Sequence, residues 1–119
     1  MKREYKLYIR DIHDSIVKID EFVAGMNYDK FSKDTKTSDA VVRRLEIIGE
    51  ASKNVPRDVK LKYKTIPWAD MSKMRDKIAH DYFGINLMIV WKVIREELPG
   101  LQSGIAEILR QMRKKYKAY

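Results

Sequence analysis

Three side chains with useful chemistry lie close together in residues 75–82. They are Arg75, His80 and Tyr82, in the spacing R-x4-H-x-Y. An arginine keeps its charge and can hold a phosphate through two parallel hydrogen bonds, while a histidine titrates near neutral pH and can give or take a proton. These groups suit metal-free RNA cleavage, which needs a base for the 2′-OH proton, positive charge for the phosphorane oxygens and an acid for the leaving oxygen.

The helix expected to carry these residues limits how they can cooperate. Pro67 is placed to start this helix and Gly84 to end it. On an ideal helix Arg75 and His80 point about 140° apart with a rise of about 7.5 Å, so they are not direct neighbours. Asp76 and His80 are four residues apart and therefore adjacent, so Asp76 can fix the imidazole tautomer and favour its protonated form.

A single histidine cannot easily act as both base and acid in one turnover. A two-fold dimer would bring two copies of Arg75 and His80 to one cleft if the motif lies beside the axis. We therefore expect a homodimer. Spacing alone leaves an alternative, in which these side chains only form ion pairs, cap carbonyls and fill a surface groove. The other histidine, His13, lies at the edge of an apolar stripe and is expected to be structural or solvated.

Composition indicates one all-α domain over residues 1–119. The chain has 119 residues, of which 45% are hydrophobic and 35% charged, as expected for one folded core. Only 5 glycines and 3 prolines are present, too few for the turns of a many-stranded sheet. We predict an antiparallel bundle of about five helices.

Several classes of function are disfavoured by what the sequence lacks. It has no cysteine, so it has no disulfide, thiol nucleophile or thiolate metal site. No apolar run reaches the roughly 20 residues that span a bilayer, and the first residues lack a signal-peptide hydrophobic region. Neither a phosphate-binding glycine loop nor a cluster with metal-ligand spacing is present. We expect a cytoplasmic protein without metal or cofactor.

The charge balance favours a polyanionic partner. The net charge is +8, and clustered cations gain free energy by releasing counterions from phosphates. Lys77 beside the motif and Arg110, Arg113 and Lys114 near the C-terminus are the candidate RNA-binding cations. Two alternatives remain, because cations at a helix C-terminus also complement the helix dipole and a lysine-rich surface also keeps a protein in solution.

Hydrophobic periodicity predicts two long helices in the first half of the chain. The first covers about residues 4–24, with Gly25 placed to end it. Residues 27–37 are polar and predict a loop, after which Thr37 or Ser38 can cap the second helix. Gly49 interrupts that helix at a cost of about 1 kcal/mol relative to alanine. We expect another helix to approach closely there.

The second half of the chain predicts further helices. Residues 56–63 are expected to form a short helix or helical turn, and the motif helix follows with an apolar face. Asn86 caps the next helix and Pro99 starts the last. The predicted apolar face of the motif helix consists of Trp68, Met71, Met74 and Ile78.

Two stretches of the sequence resemble a known superfamily. The first is P-W-A-D-M-S-K-M-R-D-K-I-A-H-D-Y-F-G, which is similar to the R-x4-6-H signature of the HEPN superfamily, in the narrower R-x4-H-x-Y form of HepT-like toxins. The second is I-I-G-E-A-S-K-N-V-P, which resembles the second helix of that family. Together with the helix layout, the resemblance covers nearly the whole chain.

The resemblance implies a homodimeric helical bundle that acts as a metal-independent ribonuclease toxin. It implies that Arg75 and His80 cleave RNA and that a MntA-type minimal nucleotidyltransferase antitoxin transfers AMP to Tyr82. Asp76 departs from the family, which often has asparagine there. The extra negative charge either weakens catalysis or, by pairing with His80, raises the pKa of the imidazole. Two rivals stay open, a catalytically inactive partner of the nucleotidyltransferase and a non-enzymatic basic RNA-binding protein.

Overall fold

The computed structural model of the chain describes residues 4–79 and 84–117, with side chains described as far as residue 113. Within these ranges the backbone is helical apart from short connections, so the predicted all-α class is confirmed. No described helix is both long and apolar enough to cross a membrane. The helices are α1 (Tyr5–Val23), α2 (Tyr28–Lys33), α3 (Thr35–Asn54), α4 (Arg57–Lys62), α5 (Trp68–Ser72), α6 (Met74–Ile78), α7 (Leu87–Lys92) and α8 (Leu98–Lys117).

Three long helical elements form the core. α1 packs along α3 on one side and against α8 on another. The stripe predicted for α1 is buried because its apolar residues recur every three or four positions and so share one face. Each fully buried isoleucine contributes roughly 1.5–3 kcal/mol. Gly25, with φ +75°, follows this helix as predicted. The buried stripe of α1 consists of Ile9, Ile12, Ile16, Ile19 and Val23.

A glycine fixes the distance between α3 and α5. A Cβ atom at Gly49 would lie 3.2 Å from the carbonyl oxygen of Met71 and 3.5 Å from Cβ of Met74. Any larger residue would therefore push α5 and α6 away from α3. The predicted close approach of another helix at Gly49 is confirmed, and it sets α6 against the side of α3.

The loop predicted for residues 27–37 is wrong, because most of this segment is the helix α2. Asn27 caps it by accepting a hydrogen bond from the Lys30 backbone N–H at 2.9 Å. Phe31 is fully buried, and the centroid of its ring lies 5.1 Å from the centroid of the Trp91 ring. One buried aromatic residue and one cap stabilise α2, and a single buried position leaves no periodicity in the sequence.

The predicted cap of α3, Thr37 or Ser38, is also wrong. The cap is Asp34, whose carboxylate accepts a hydrogen bond from the Thr37 backbone N–H at 3.0 Å. Asp34 thus ends α2 and starts α3. The Thr37 backbone N–H, followed by its side chain and nearby lysines, lowers the pKa of the Asp34 carboxyl below its usual value.

The motif helix is interrupted and shorter than predicted. It breaks at Lys73 into α5 and α6, and α6 ends at Ile78, well before Gly84. Ala79 is extended, with φ −70° and ψ 145°, and forms an isolated antiparallel bridge with Ile85. Gly84 has the predicted positive φ, at +115°, but it does not terminate the helix. The predicted apolar face of this segment is nevertheless buried.

The last helix does not begin at Pro99. Asn86 caps α7 as predicted, accepting from the Ile89 backbone N–H at 3.2 Å. A π-helical turn, Val93–Glu97, then joins α7 to α8 without a break. Proline lacks an N–H and its ring collides with the carbonyl four residues earlier. The wider turn just before Pro99 gives that ring room, so the helix continues through it.

Candidate functional site

Arg75 lies on α6 and points into a cavity that α6 shares with α3. The cavity has a volume of about 220 Å³, and Arg75 is exposed. Gly49 lies in its wall, so the close contact of α3 with α5 also determines where Arg75 is held. Four charged residues of α3 line the cavity with Arg75, namely Arg43, Glu46, Glu50 and Lys53.

These four residues form one face of α3. Their spacing of three, four and three residues places them on one side of the helix, whereas its buried residues turn toward α1 and the core. Sequence analysis missed this face, since charged residues on a long helix are usually solvated. The signal available was their 3-4-3 spacing around a glycine expected to contact another helix.

A second cavity continues the first toward α1. It has a volume of about 170 Å³, and three residues line both cavities, Arg43, Glu46 and Glu50. On its far side lie Tyr8 and Asp11 of α1. The two cavities therefore form one continuous surface depression along α3, which we name the α3 groove.

The cations of the α3 groove are not neutralised by direct ion pairs in the described part of the chain. Arg43, Lys53 and Arg75 are exposed, and none has a described carboxylate oxygen within 4.0 Å. Glu46 and Glu50 share the cavity without contacting them at that distance. The groove thus presents three cationic heads to solvent, and three carboxylates line it with them, those of Asp11, Glu46 and Glu50.

The predicted pairing of Asp76 with His80 stays a prediction. Asp76 is exposed on α6, but α6 ends at Ile78 and Ala79 is extended, so the predicted helix does not continue through residue 79. His80 and Tyr82 lie outside the described residues, and their roles stay predictions. The chain on either side of them is fixed, because the Asn86 backbone N–H donates to the Ile78 carbonyl at 2.8 Å.

Two of the four predicted RNA-binding cations are in ion pairs. Lys77 Nζ lies 2.6 Å from Glu97 Oε1, and Arg110 Nη2 lies 2.6 Å from Glu107 Oε1. The hydrogen bond to Glu107 raises the pKa of Arg110. Glu97 and Arg110 are separated by about 20 Å along the helix axis, since each residue rises about 1.5 Å. The structure therefore does not join Lys77 and Arg110 into one patch.

Arg113 lies in a different environment. It lines a cavity of about 100 Å³ between α8 and the start of α1, together with Lys6, Arg10, Leu109 and Met112. The side chain of Lys114 is outside the described part of α8. A second basic surface therefore lies near the C-terminal end of α8, distant in the sequence from the motif.

Metal binding has no support in the described residues. Residues 4–79 and 84–117 contain no group of three or more histidine, cysteine, aspartate or glutamate side chains that could hold an ion. The chemistry of the groove is that of arginine, lysine and carboxylate groups. Such a set can bind phosphates and accept hydrogen bonds.

An all-α chain whose motif arginine is exposed in a charged groove fits the HEPN-type layout that the sequence resemblance implies. A comparison with family models identifies the family directly, because the model described as "Ribonuclease HepT-like" matches residues 12–108. The chain belongs to this family. No solved structure matches it significantly.

Three related proteins match this chain over most of their own length. A protein of Thermococcus cleftensis named "Probable ribonuclease HepT" is 47% identical over 111 residues, covering 93% of this chain and 100% of its own. A protein of Methanocaldococcus jannaschii named "Putative RNase" is 40% identical over 111 residues, covering 93% and 92%. One of Caldanaerobacter subterraneus with the same description is 40% identical over 104 residues, covering 87% and 93%.

Proposed function

We propose that this protein is a metal-independent endoribonuclease and the toxin of a toxin–antitoxin pair. Membership of the ribonuclease HepT-like family supports the activity. The observation that carries the proposal is the position of Arg75, because the motif arginine is exposed, lines an open groove and has no ion pair with the described carboxylates. A guanidinium placed in this way is available to a phosphate.

The proposed reaction needs no metal. His80 accepts the proton of a ribose 2′-OH, whose oxygen attacks the adjacent phosphorus while the bond to the 5′ oxygen breaks. Arg75 stabilises the negative oxygens of the phosphorane. A protonated His80 then gives a proton to the leaving 5′ oxygen. The products are a 2′,3′-cyclic phosphate and a 5′-hydroxyl.

Two subunits would complete this chemistry. We propose a homodimer in which His80 of one protomer acts as base and His80 of the other as acid. The exposure of Arg75 on the short helix α6 supports a shared cleft. Asp76, also exposed on α6, would lie at the edge of the same cleft and tune the imidazole by its charge.

The experiment that tests the activity uses the purified full chain with tRNA or mRNA in EDTA. We expect cleavage that is lost in His80→Ala and in Arg75→Ala. Lys64→Ala removes an exposed cation that does not line the α3 groove and serves as the control. Intact RNA with the wild type, or equal cleavage by wild type and His80→Ala, would overturn the proposal.

We further propose that a MntA-type minimal nucleotidyltransferase neutralises the toxin at Tyr82. The phenol oxygen attacks the α-phosphorus of ATP and pyrophosphate leaves, so Tyr82 gains AMP. The added phosphate is negative and would occupy the position of the substrate phosphate near Arg75. Mass spectrometry of protein co-expressed with the enzyme should show AMP on Tyr82, and an inactive complex with unmodified Tyr82 would mean inhibition by binding alone.

Two observations favour non-catalytic alternatives. The surface formed by Lys6, Arg10 and Arg113 suits a basic RNA-binding protein. That alternative predicts salt-sensitive RNA binding that is lost with the α8 cations and unaffected by His80→Ala. The carboxylate of Asp76 beside Arg75 suits an inactive partner of the nucleotidyltransferase, which predicts a stable complex without RNA cleavage.

A further inference from the structure

We propose that the α3 groove is the path of the substrate strand, with Arg43 and Lys53 binding the phosphates that flank the one held at Arg75. This inference rests on the proposed ribonuclease function. It adds two substrate-positioning residues that lie outside the motif and on a different helix. Both residues line the same cavity as Arg75.

The order of charges along α3 suits a nucleic acid strand. Arg43 and Lys53 lie at the two ends of the charged face, ten residues and therefore about 15 Å apart along the helix axis. Arg75 comes from α6 on the opposite wall of the same cavity. A strand that lies along α3 can thus place successive phosphates near cations on both walls.

The two carboxylates between these cations have a matching role. Glu46 and Glu50 would repel phosphates and so keep them at the ends of the charged face. Between its phosphates an RNA strand carries ribose 2′-hydroxyls and base amino groups, which are hydrogen-bond donors. Carboxylate oxygens accept such hydrogen bonds. Cations and carboxylates alternate in the groove, just as phosphates and hydrogen-bond donors alternate along an RNA strand.

The groove cations are also more available than the two ion-paired cations, Lys77 on α6 and Arg110 on α8. Arg43 and Lys53 have no described carboxylate within 4.0 Å, whereas Lys77 and Arg110 each have one at 2.6 Å. An unpaired cation gains more from a phosphate, because it need not give up an existing partner. RNA is therefore expected to contact Arg43 and Lys53 in preference to the ion-paired Lys77 and Arg110.

The salt dependence of RNA binding tests whether the substrate strand lies along the α3 groove. The background is His80→Ala, which prevents cleavage, and the probe is a fluorescently labelled single-stranded RNA. Each phosphate neutralised on a single strand contributes about 0.7 to the slope of log K against log salt. We expect Arg43→Ala with Lys53→Ala to reduce that slope by about 1.4 and to weaken binding roughly tenfold at low salt.

A charge-matched control separates local contacts from net charge. Lys30→Ala with Lys64→Ala removes the same charge from exposed positions that do not line the groove. We expect its slope to change by much less. Equal slopes in the two double variants would overturn the proposal, as would unchanged RNA binding with weakened binding of an acidic protein partner. Circular dichroism melting should show that both double variants are folded.

Kinetics distinguish a positioning role from a catalytic one. With His80 intact, Arg43→Ala with Lys53→Ala should raise KM about tenfold and leave kcat and its pH profile within about threefold. If the wild type cleaves RNA and depends on Arg75 while this variant behaves like the control, the path is wrong and the ribonuclease function stands. If RNA binds through Arg43 and Lys53 without being cleaved, the path stands and the ribonuclease function is wrong.

Discussion

Two sets of cations in this protein differ in how their charges are compensated. In the α3 groove, Arg43, Lys53 and Arg75 are exposed and form no ion pair with the carboxylates that the structure describes. By contrast, Lys77 on α6 and Arg110 on α8 each contact a glutamate at 2.6 Å. The three groove cations therefore lack the direct ion pairs that Lys77 and Arg110 form.

This difference shows why a count of cations does not locate a nucleic acid site. A lysine and a glutamate 2.6 Å apart present almost no net charge to a phosphate several ångströms away, because their potentials cancel. Breaking such a pair costs little at an exposed surface, but the glutamate remains nearby and repels the phosphate. Spatial pairing of charges therefore matters more than their number along the chain.

Arg75 and Arg110 also differ in the structure that surrounds them. The segment that precedes Arg75 packs closely against α3, because Gly49 allows the Met71 carbonyl of α5 to approach. Arg110 projects from one side of the long helix α8, with Glu107 of the same helix as its partner. Close backbone packing of this kind suits the catalytic role proposed for Arg75, since small displacements of a catalytic group reduce rates strongly.

The largest effect on folding should come from filling the contact at Gly49. Gly49→Val places methyl groups against the Met71 carbonyl, and we expect a loss of stability of about 1–3 kcal/mol together with reduced RNA cleavage. Urea unfolding and a cleavage assay measure both. Gly100→Ala is the matched control, because no atom lies within 4 Å of the added Cβ and the helix gains up to about 1 kcal/mol. Full stability of Gly49→Val would show that the contact does not position α5.

Removing the ion-paired cations should have a smaller effect. We expect Lys77→Ala and Arg110→Ala to change the Kd for single-stranded RNA by less than about threefold, because each cation is already paired. Glu107→Gln frees Arg110 and should tighten binding by a similar factor. Fluorescence anisotropy at fixed salt measures these changes. A loss of RNA affinity as large as that expected for Arg43→Ala with Lys53→Ala would show that the ion-paired cations bind RNA as well as the groove cations do.

The smallest effect is expected at Asp34, which does not line the α3 groove and does not pair with Lys77 or Arg110. Its folded-state pKa is lowered by the Thr37 backbone N–H, so its stabilising effect is present above the usual value of 3.8 and is lost on further acidification. Asp34→Ala should lower the Tm by a few degrees at pH 7, and this difference should shrink as the pH falls below 3.8 and the carboxylate becomes protonated. RNA cleavage should be unchanged. A difference that persists at low pH would mean that the charge of Asp34 does not act as the cap.

Sequence periodicity was sufficient for the long helices and insufficient for the short ones. The stripe of α1 repeats over five turns, so it identified the helix and its buried face. α2 contains one buried residue, Phe31, and therefore has no repeat to detect. Pro99 predicted a helix start, but the π-helical turn before it accommodates the ring, and such a turn has no recognisable sequence pattern.

The candidate site was predicted only in part. The motif identified Arg75, and Gly49 indicated a close helix contact, which the structure confirms. The contribution of Arg43, Glu46, Glu50 and Lys53 was missed, because it depends on which side of α3 faces α6. That orientation is decided by the packing of two helices more than twenty residues apart in the chain and not by local sequence.

The most direct test of the role proposed for Arg75 compares Arg75→Ala with Arg110→Ala in one RNA cleavage assay in EDTA. Both variants remove one exposed arginine, but Arg75 lines the α3 groove and Arg110 is paired with Glu107. We predict that kcat falls about 100-fold or more for Arg75→Ala, as expected when a group that stabilises transition-state charge is lost, and stays within about threefold for Arg110→Ala. Equal losses in the two variants, or full activity of Arg75→Ala, would contradict the account.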